Sequence, residues 1–203
     1  MLYPQSGDIA TLMDANWITS TSRYGSLETK YGQVDGDFGV FLGAKGGIVL
    51  NDTYSIGLAG YFLFPKHTEI SCFSYGHHKT HRNILKGGYG GTILEYTYSS
   101  SNLFHFTVRS LFGVGGIRIE HDHYNYYYYY YHKKYEHPTR AFFIVEPSLS
   151  VNMNLTRNFK TTLGLSYRQT PNTSLKYKGK EFAKSSIFEG ISIDLGLLFS
   201  DRD

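Results

Sequence analysis

Hydrophobic and polar residues alternate along much of this chain. In residues 143 to 155, FIVEPSLSVNMNL, one parity holds Phe143, Val145, Pro147, Leu149, Val151, Met153 and Leu155. The other parity holds Glu146, Ser148, Ser150, Asn152 and Asn154. Strict period-two alternation marks a β-strand lying between two unlike environments. The pattern returns in 187–200, where Ile191, Ile193, Leu195, Leu197 and Phe199 oppose Ser192, Asp194, Gly196 and Ser200. It returns in 159–168, 104–114, 53–63, 38–50 and 91–98, and more weakly in 24–31, where Leu27, Thr29 and Tyr31 oppose Ser26, Glu28 and Lys30. Helix signals are nearly absent.

These segments predict eight strands of roughly ten residues, the length that crosses a bilayer at a tilt. Their connections alternate in length. Turns near Asn51-Asp52, at 99–102 (SSSN) and at 154–158 (NLTRN) are short, whereas the connections at about 64–86, 121–138 and 171–186 are long. Long connections at one end and short turns at the other are the habit of an outer-membrane barrel. The short 32–36 hairpin is the exception. No internal repeat or interdomain linker interrupts the rhythm. Residues 1–20 carry no clear pattern and are expected to form a periplasmic or flexible segment ahead of a barrel spanning 21–203.

Alternation alone leaves two architectures open, a membrane barrel with its apolar face outward and a soluble β-sandwich with its apolar face inward. Three features favour the barrel. The polar parities are rich in Gly, Ser and Thr, as a narrow lumen requires. Their few charges nearly balance, with Glu28, Glu95, Glu146 and Asp194 set against Lys30, Lys45, Arg109, Lys160 and Arg168. An ionic network buried in the interior would neutralise them, since an unpaired buried charge is costly. Aromatic residues also gather near strand ends on the apolar parity (Tyr54, Phe104, Phe159, Tyr167, Phe199), resembling the girdles of membrane barrels.

Composition agrees with this picture and narrows the function classes. Charged residues are 18% and aromatic residues 17%, with 22 glycines. The net charge is +3 with no basic block, which argues against a nucleic-acid partner. No apolar window reaches the length of a transmembrane helix. The opening residues carry Asp8 and Asp14 where a signal peptide would be apolar, so a mature chain is expected. The single cysteine, Cys72, excludes an internal disulfide framework.

Several blocks resemble small outer-membrane β-barrel proteins of the Bacteroidetes. They are GDFGVFLGAKGGIVLNDTYSIGLAGYFL (36–63), KGGYGGTILEY (86–96), LFHFTVRSLFGVGGI (103–117) and FFIVEPSLSVNMNLTRNFKTTLGLSYR (142–168). The resemblance covers about 24–200. It implies an outer-membrane address and a cleaved signal peptide, and it implies no defined activity. Such barrels usually end on an aromatic residue, whereas here SDRD follows Phe199.

Candidate chemistry concentrates in the long connections. Tyr124 and the run Tyr126, Tyr127, Tyr128, Tyr129, Tyr130 and Tyr131 offer large amphipathic contact area, or else form a low-complexity loop tip. His77, His78, His81, His121 and His123 are candidate metal ligands, although no spacing matches a metal motif. His105 sits on a polar parity with Arg109, with no Ser-His-acid arrangement around it. GAKGG and GGYGG lack the phosphate-loop pattern and read as barrel glycines.

The expectation is therefore a closed, antiparallel, eight-stranded outer-membrane barrel with long extracellular loops and no cofactor. Its expected role is non-enzymatic, as an accessory subunit of a larger outer-membrane complex or a surface interaction module. Its expected partners are outer-membrane lipid and other outer-membrane proteins. A receptor capturing metal or a small ligand is the alternative, and a lipid-modifying enzyme is a third.

Overall fold

The computed structural model describes the backbone of residues 18–34, 36–74, 77–121, 139–171, 175–177, 180–183 and 188–201. Within these, the side chains of 66–83, 119–121, 139–140, 175–177 and 180–183 fall outside the description. No described residue is helical. The strands are β1 (Thr21–Val34), β2 (Asp37–Leu50), β3 (Tyr54–Ser74), β4 (His77–Tyr98), β5 (Phe104–His121), β6 (Thr139–Asn154), β7 (Phe159–Arg168), β8 (Leu175–Tyr177), β9 (Lys180–Ala183) and β10 (Gly190–Asp201). Strands β8 and β9 pair as a small hairpin, and the other eight form a closed antiparallel barrel in which β1 closes on β10.

Closure leaves no free edge around the waist, so the backbone polar groups there are bonded largely within the wall. The alternation then assigns each residue to wall or lumen. Leu27, Leu58 and Phe143 stand outward with 66%, 67% and 71% of their surface exposed. Glu28, Lys30 and Arg168 point inward with 5% or less. A water-soluble sandwich would bury the first set and expose the second, so that alternative fails. The wall is built to face lipid.

Local chemistry explains the turns and breaks. Asn51 and Asp52 both take positive φ (52° and 54°), which is the turn that matches the twist of two antiparallel strands. Gly91 and Gly113 lie directly opposite one another, and a Cβ on either would collide with the facing backbone. Pro147 has no N–H to give the ladder, and the β6–β7 pairing breaks there, resuming only as the bridge between Val145 and Gln169.

The connection expected at about 64–86 is not a loop. Strand β3 runs on to Ser74 and β4 begins at His77, so these residues extend the hairpin. A bulge sets Phe64 and Pro65 opposite Lys86 alone, between the pairs Leu63–Gly87 and Lys66–Leu85. Beyond it, polar residues occupy both parities, as in Lys66-His67-Thr68-Glu69, so there is no hydrophobic contrast for period two to reveal. Likewise β10 begins at Gly190 rather than 187.

Leu195 lies within β10 on the lipid side, paired with Thr29 and Leu163 and 57% exposed. Leu195→Arg is expected to destabilise the folded barrel by about 2–4 kcal/mol, the cost of a cation facing mid-bilayer. Equilibrium urea unfolding in phospholipid vesicles measures it.

Candidate functional site

The lumen is filled, and its filling is ordered along the barrel axis. Seven charged side chains form one buried network. Arg109, on β5, is its hub. Its Nη1 donates to Glu28 Oε1 and Oε2 at 3.0 and 3.1 Å, its Nη2 to Asp194 Oδ2 at 3.1 Å, and its Nε to Ser148 Oγ at 2.9 Å. Lys45 Nζ bridges Glu95 Oε1 at 2.6 Å and Glu28 Oε1 at 3.1 Å. Lys30 Nζ bonds Glu146 Oε1 and lies 3.4 Å from Asp194 Oδ2. Neutral donors complete the carboxylates. Tyr24 Oη donates to Glu95 at 2.7 Å, Tyr61 Oη to Glu28 at 2.5 Å, and Ser166 Oγ to Asp194 at 3.0 Å. Each carboxylate thus meets a cation and, for three of the four, a hydroxyl. These partners offset part of the desolvation cost of burying the charges.

Towards the long-connection end the lumen turns apolar. Phe41, Tyr89, Phe142 and Phe188 pack edge-on or tilted, with ring centroids 5.2–5.8 Å apart. Val34, Leu63, Leu85, Ile93, Leu111, Ile117 and Ile144 fill the space around them. Arg168 stands within this layer. Its guanidinium lies 4.2 Å from the Phe41 ring centroid and its Nη2 donates to Gln33 O at 2.6 Å. Towards the short-turn end the lumen opens into a polar cavity of about 40 Å³, room for one or a few waters. Lys45, Glu95, His105, Asn152 and Lys160 contribute to its lining. His105 is 2% exposed, with Nδ1 3.3 Å from Asn102 O. Asn152 Nδ2 donates to Thr107 Oγ1, and Thr162 Oγ1 donates to Asn152 Oδ1, both at 2.8 Å.

All nine residues named from the sequence as interior charges are inside the barrel and no more than 9% exposed. The structure brings seven of them together. Arg168 stands apart, because its stacking on Phe41 takes it away from the carboxylates, and among the described residues its Nε and Nη1 have no hydrogen-bond partner. Lys160 lies at the cavity, towards the turns. Tyr124, Tyr126–Tyr131 and His123 lie outside the described residues. His77, His78, His81 and His121 are placed by backbone register alone. His77, His81 and His121 share one face of the β3–β4–β5 sheet, and His78 falls on the other.

Sequence reading missed the apolar layer of the lumen. Its signal is present as runs in which both parities are apolar, such as Val40-Phe41-Leu42, Tyr61-Phe62-Leu63 and Phe142-Phe143-Ile144. Such runs mark the height at which the wall and its contents are both hydrophobic. Phe188 precedes β10 and obeys no strand parity, yet it is wholly buried.

Removing the hub leaves Glu28 and Asp194 short of a cation. Arg109→Met is expected to cost about 3–5 kcal/mol of stability. Glu95→Gln is expected to cost less, because Lys45 keeps Glu28. Urea unfolding of both variants in the same lipid vesicles sets the order.

No protein-family model matches the chain. No curated protein matches it either. Among solved structures it is similar to a major outer membrane protein from Thermus thermophilus, with TM-score 0.57 and 11% identity, over 88% of this chain and 99% of that one. It is similar to the N-terminal β-barrel domain of Pseudomonas aeruginosa OprF, with TM-score 0.52 and 10% identity, over 90% and 100%. It is also similar to OprG from Pseudomonas aeruginosa, with TM-score 0.50 and 9% identity, over 92% and 98%. At such identities the likeness is one of fold, and the fold is that of small outer-membrane β-barrels.

Proposed function

We propose that the protein is a non-enzymatic interaction protein of the outer membrane of a Gram-negative bacterium, an accessory subunit of a larger outer-membrane assembly or a surface interaction module. The observation that carries this reading is the filled lumen. Charged residues, then aromatic rings, occupy the axis of a barrel whose outer wall is apolar. A lumen so occupied suits neither bulk transport nor turnover of a substrate inside the barrel, which leaves the wall and the two ends as the working surfaces. The resemblance of several blocks to Bacteroidetes barrels agrees with the same address.

The connections support an orientation. Three turns at one end span 51–53, 99–103 and 155–158, and the connections 122–138 and 169–189 lie at the other. The two-residue connections at 35–36 and 75–76 share that end with the two long ones. Outer-membrane barrels keep short turns in the periplasm and long loops outside, and the two long connections support a reading in which 122–138 faces the cell surface. Its tyrosines supply contact area with few torsions to freeze. Aromatic pairs on the outer wall support the membrane position. Tyr54–Tyr96 and Phe159–Phe199 lie at one end, with centroids 5.4 and 4.7 Å apart, and Tyr31–Phe38 lies at the other at 5.2 Å.

The test is extraction from the native membrane in mild detergent, with sizing and identification of what co-purifies. The expected outcome is a stoichiometric assembly larger than the 23.1 kDa chain, released when residues 124–131 are replaced by a Gly/Ser linker. Recovery as a lone barrel counts against the accessory role. An epitope placed in the 122–138 connection is expected to be labelled on intact cells, and labelling only after lysis reverses the orientation.

A further inference from the structure

On the outward face of the β4–β5 pair, Lys86 stands directly opposite Arg118, and both side chains are exposed. Like charges opposite one another on a sheet repel, and an anion that spans the two offsets the repulsion. The pair stands at the rim of the apolar wall. Tyr96, in the aromatic pair at the turn end, lies about ten residues away along β4. At the usual strand tilt that is about 25 Å of height, the depth of the apolar band of a membrane barrel. Phe64 sits beside Lys86 at the bulge and stacks on Phe62, with ring centroids 6.3 Å apart.

Below the two cations the wall is hollow. One outward step down, about 7 Å along the strands, Gly88 lies opposite Gly116. One step further, Gly90 lies opposite Gly60. Phe62 borders this floor on β3, and Val114 and Phe143 border it towards β6, all three exposed. A Cβ at Gly60 would meet nothing within 4 Å, and its φ is not positive. Neither packing nor backbone geometry therefore asks for glycine there. On β7 and β10 the outward positions instead carry Leu163, Leu165, Ile193, Leu195 and Leu197.

We propose that this face binds one phosphorylated lipid of the outer leaflet, lipid A, with a phosphate on Lys86 and Arg118 and an acyl chain along the glycine floor. A phosphate accepts from both cations at once, and a guanidinium has donors enough to hold a carboxylate as well. The floor between Gly88 and Gly116 is one strand spacing wide, about 5 Å, which suits a single hydrocarbon chain. Charge at the rim over an apolar hollow matches an amphiphile, whereas a protein segment lying there would carry polar backbone into the lipid layer. The inference rests on the orientation proposed above, which decides the leaflet. Labelling of the epitope in the 122–138 connection tests that orientation separately, and lipid binding can fail while the interaction role stands.

The test is native mass spectrometry of the full chain released from detergent micelles and titrated with lipid A. Saturable binding of one lipid A is expected. Lys86→Ala with Arg118→Ala is expected to weaken it about tenfold or more, as two charge-assisted contacts are lost. Lipid A stripped of its phosphates is expected to bind the unaltered protein as weakly. Gly60→Leu, which fills the floor where there is room, is expected to weaken binding several-fold. Leu165→Ala, on the β7 side of the wall, is expected to change nothing. Heat-dependent electrophoretic mobility shows that each variant keeps its barrel. Absence of binding, or undiminished binding by the double variant, overturns the proposal. Equal affinity for phosphatidylglycerol, lost with the same two cations, overturns the choice of lipid A and assigns the site to phospholipid headgroups.

Discussion

Charge enclosed by a lipid-facing cylinder has to be neutralised inside that cylinder. Neither solvent nor membrane can do it from outside, and an uncompensated ion in such a place is worth several kcal/mol of instability. The Arg109 hub is how this chain meets the condition. Its guanidinium is planar and five-pronged, so one side chain on β5 reaches Glu28 on β1, Asp194 on β10 and Ser148 on β6 at once. Lys45 and Lys30 carry the network on to Glu95 and Glu146. With Tyr61 and Ser166 included, all eight barrel strands contribute a side chain. The shape of the wall and the pairing within it are thus one problem. A shift of any strand by one residue would turn its lumen side chain into lipid.

The filling also divides the labour along the axis. Aromatic and aliphatic packing seals the lumen towards the long connections, the ionic layer ties the middle, and a small polar cavity remains towards the turns. Each layer uses the chemistry its neighbours permit. Lys30 Nζ lies 4.1 Å from the Tyr61 ring centroid and Arg168 stacks on Phe41, so the boundary between ionic and apolar layers is made of cations on aromatic faces. With the interior committed to structure, the wall and the two ends are the surfaces left exposed.

Much of this was legible in the sequence, and the limits have physical causes. Period two exposed the strands wherever wall and lumen differ in polarity, as in 159–168, where Lys160, Thr162, Gly164, Ser166 and Arg168 all turned out to face inward. It failed where the two environments are alike. In the ribbon beyond the bulge both parities are polar, so strands looked like a loop. Around Phe41 and Phe142 both parities are apolar, so lumen residues were indistinguishable from wall. The balance of charges foretold which residues lie inside, but not that Arg168 would leave the carboxylates for a ring. Pair identities such as Arg109 with Asp194 join residues 85 apart and require the closed register to be known.

The hub's two carboxylate partners stand on the first and last strands of the barrel, which are the strands that meet at the seam. Until β1 and β10 come together, Arg109 cannot hold both. A barrel with its seam unzipped would keep cations and carboxylates in a half-formed interior without their mates, and Phe188, just ahead of β10, would not yet have entered the aromatic layer. Partial assembly is therefore penalised until the final strand arrives. The network thus ties the seam from within and favours the closed barrel over one left open at β1 and β10.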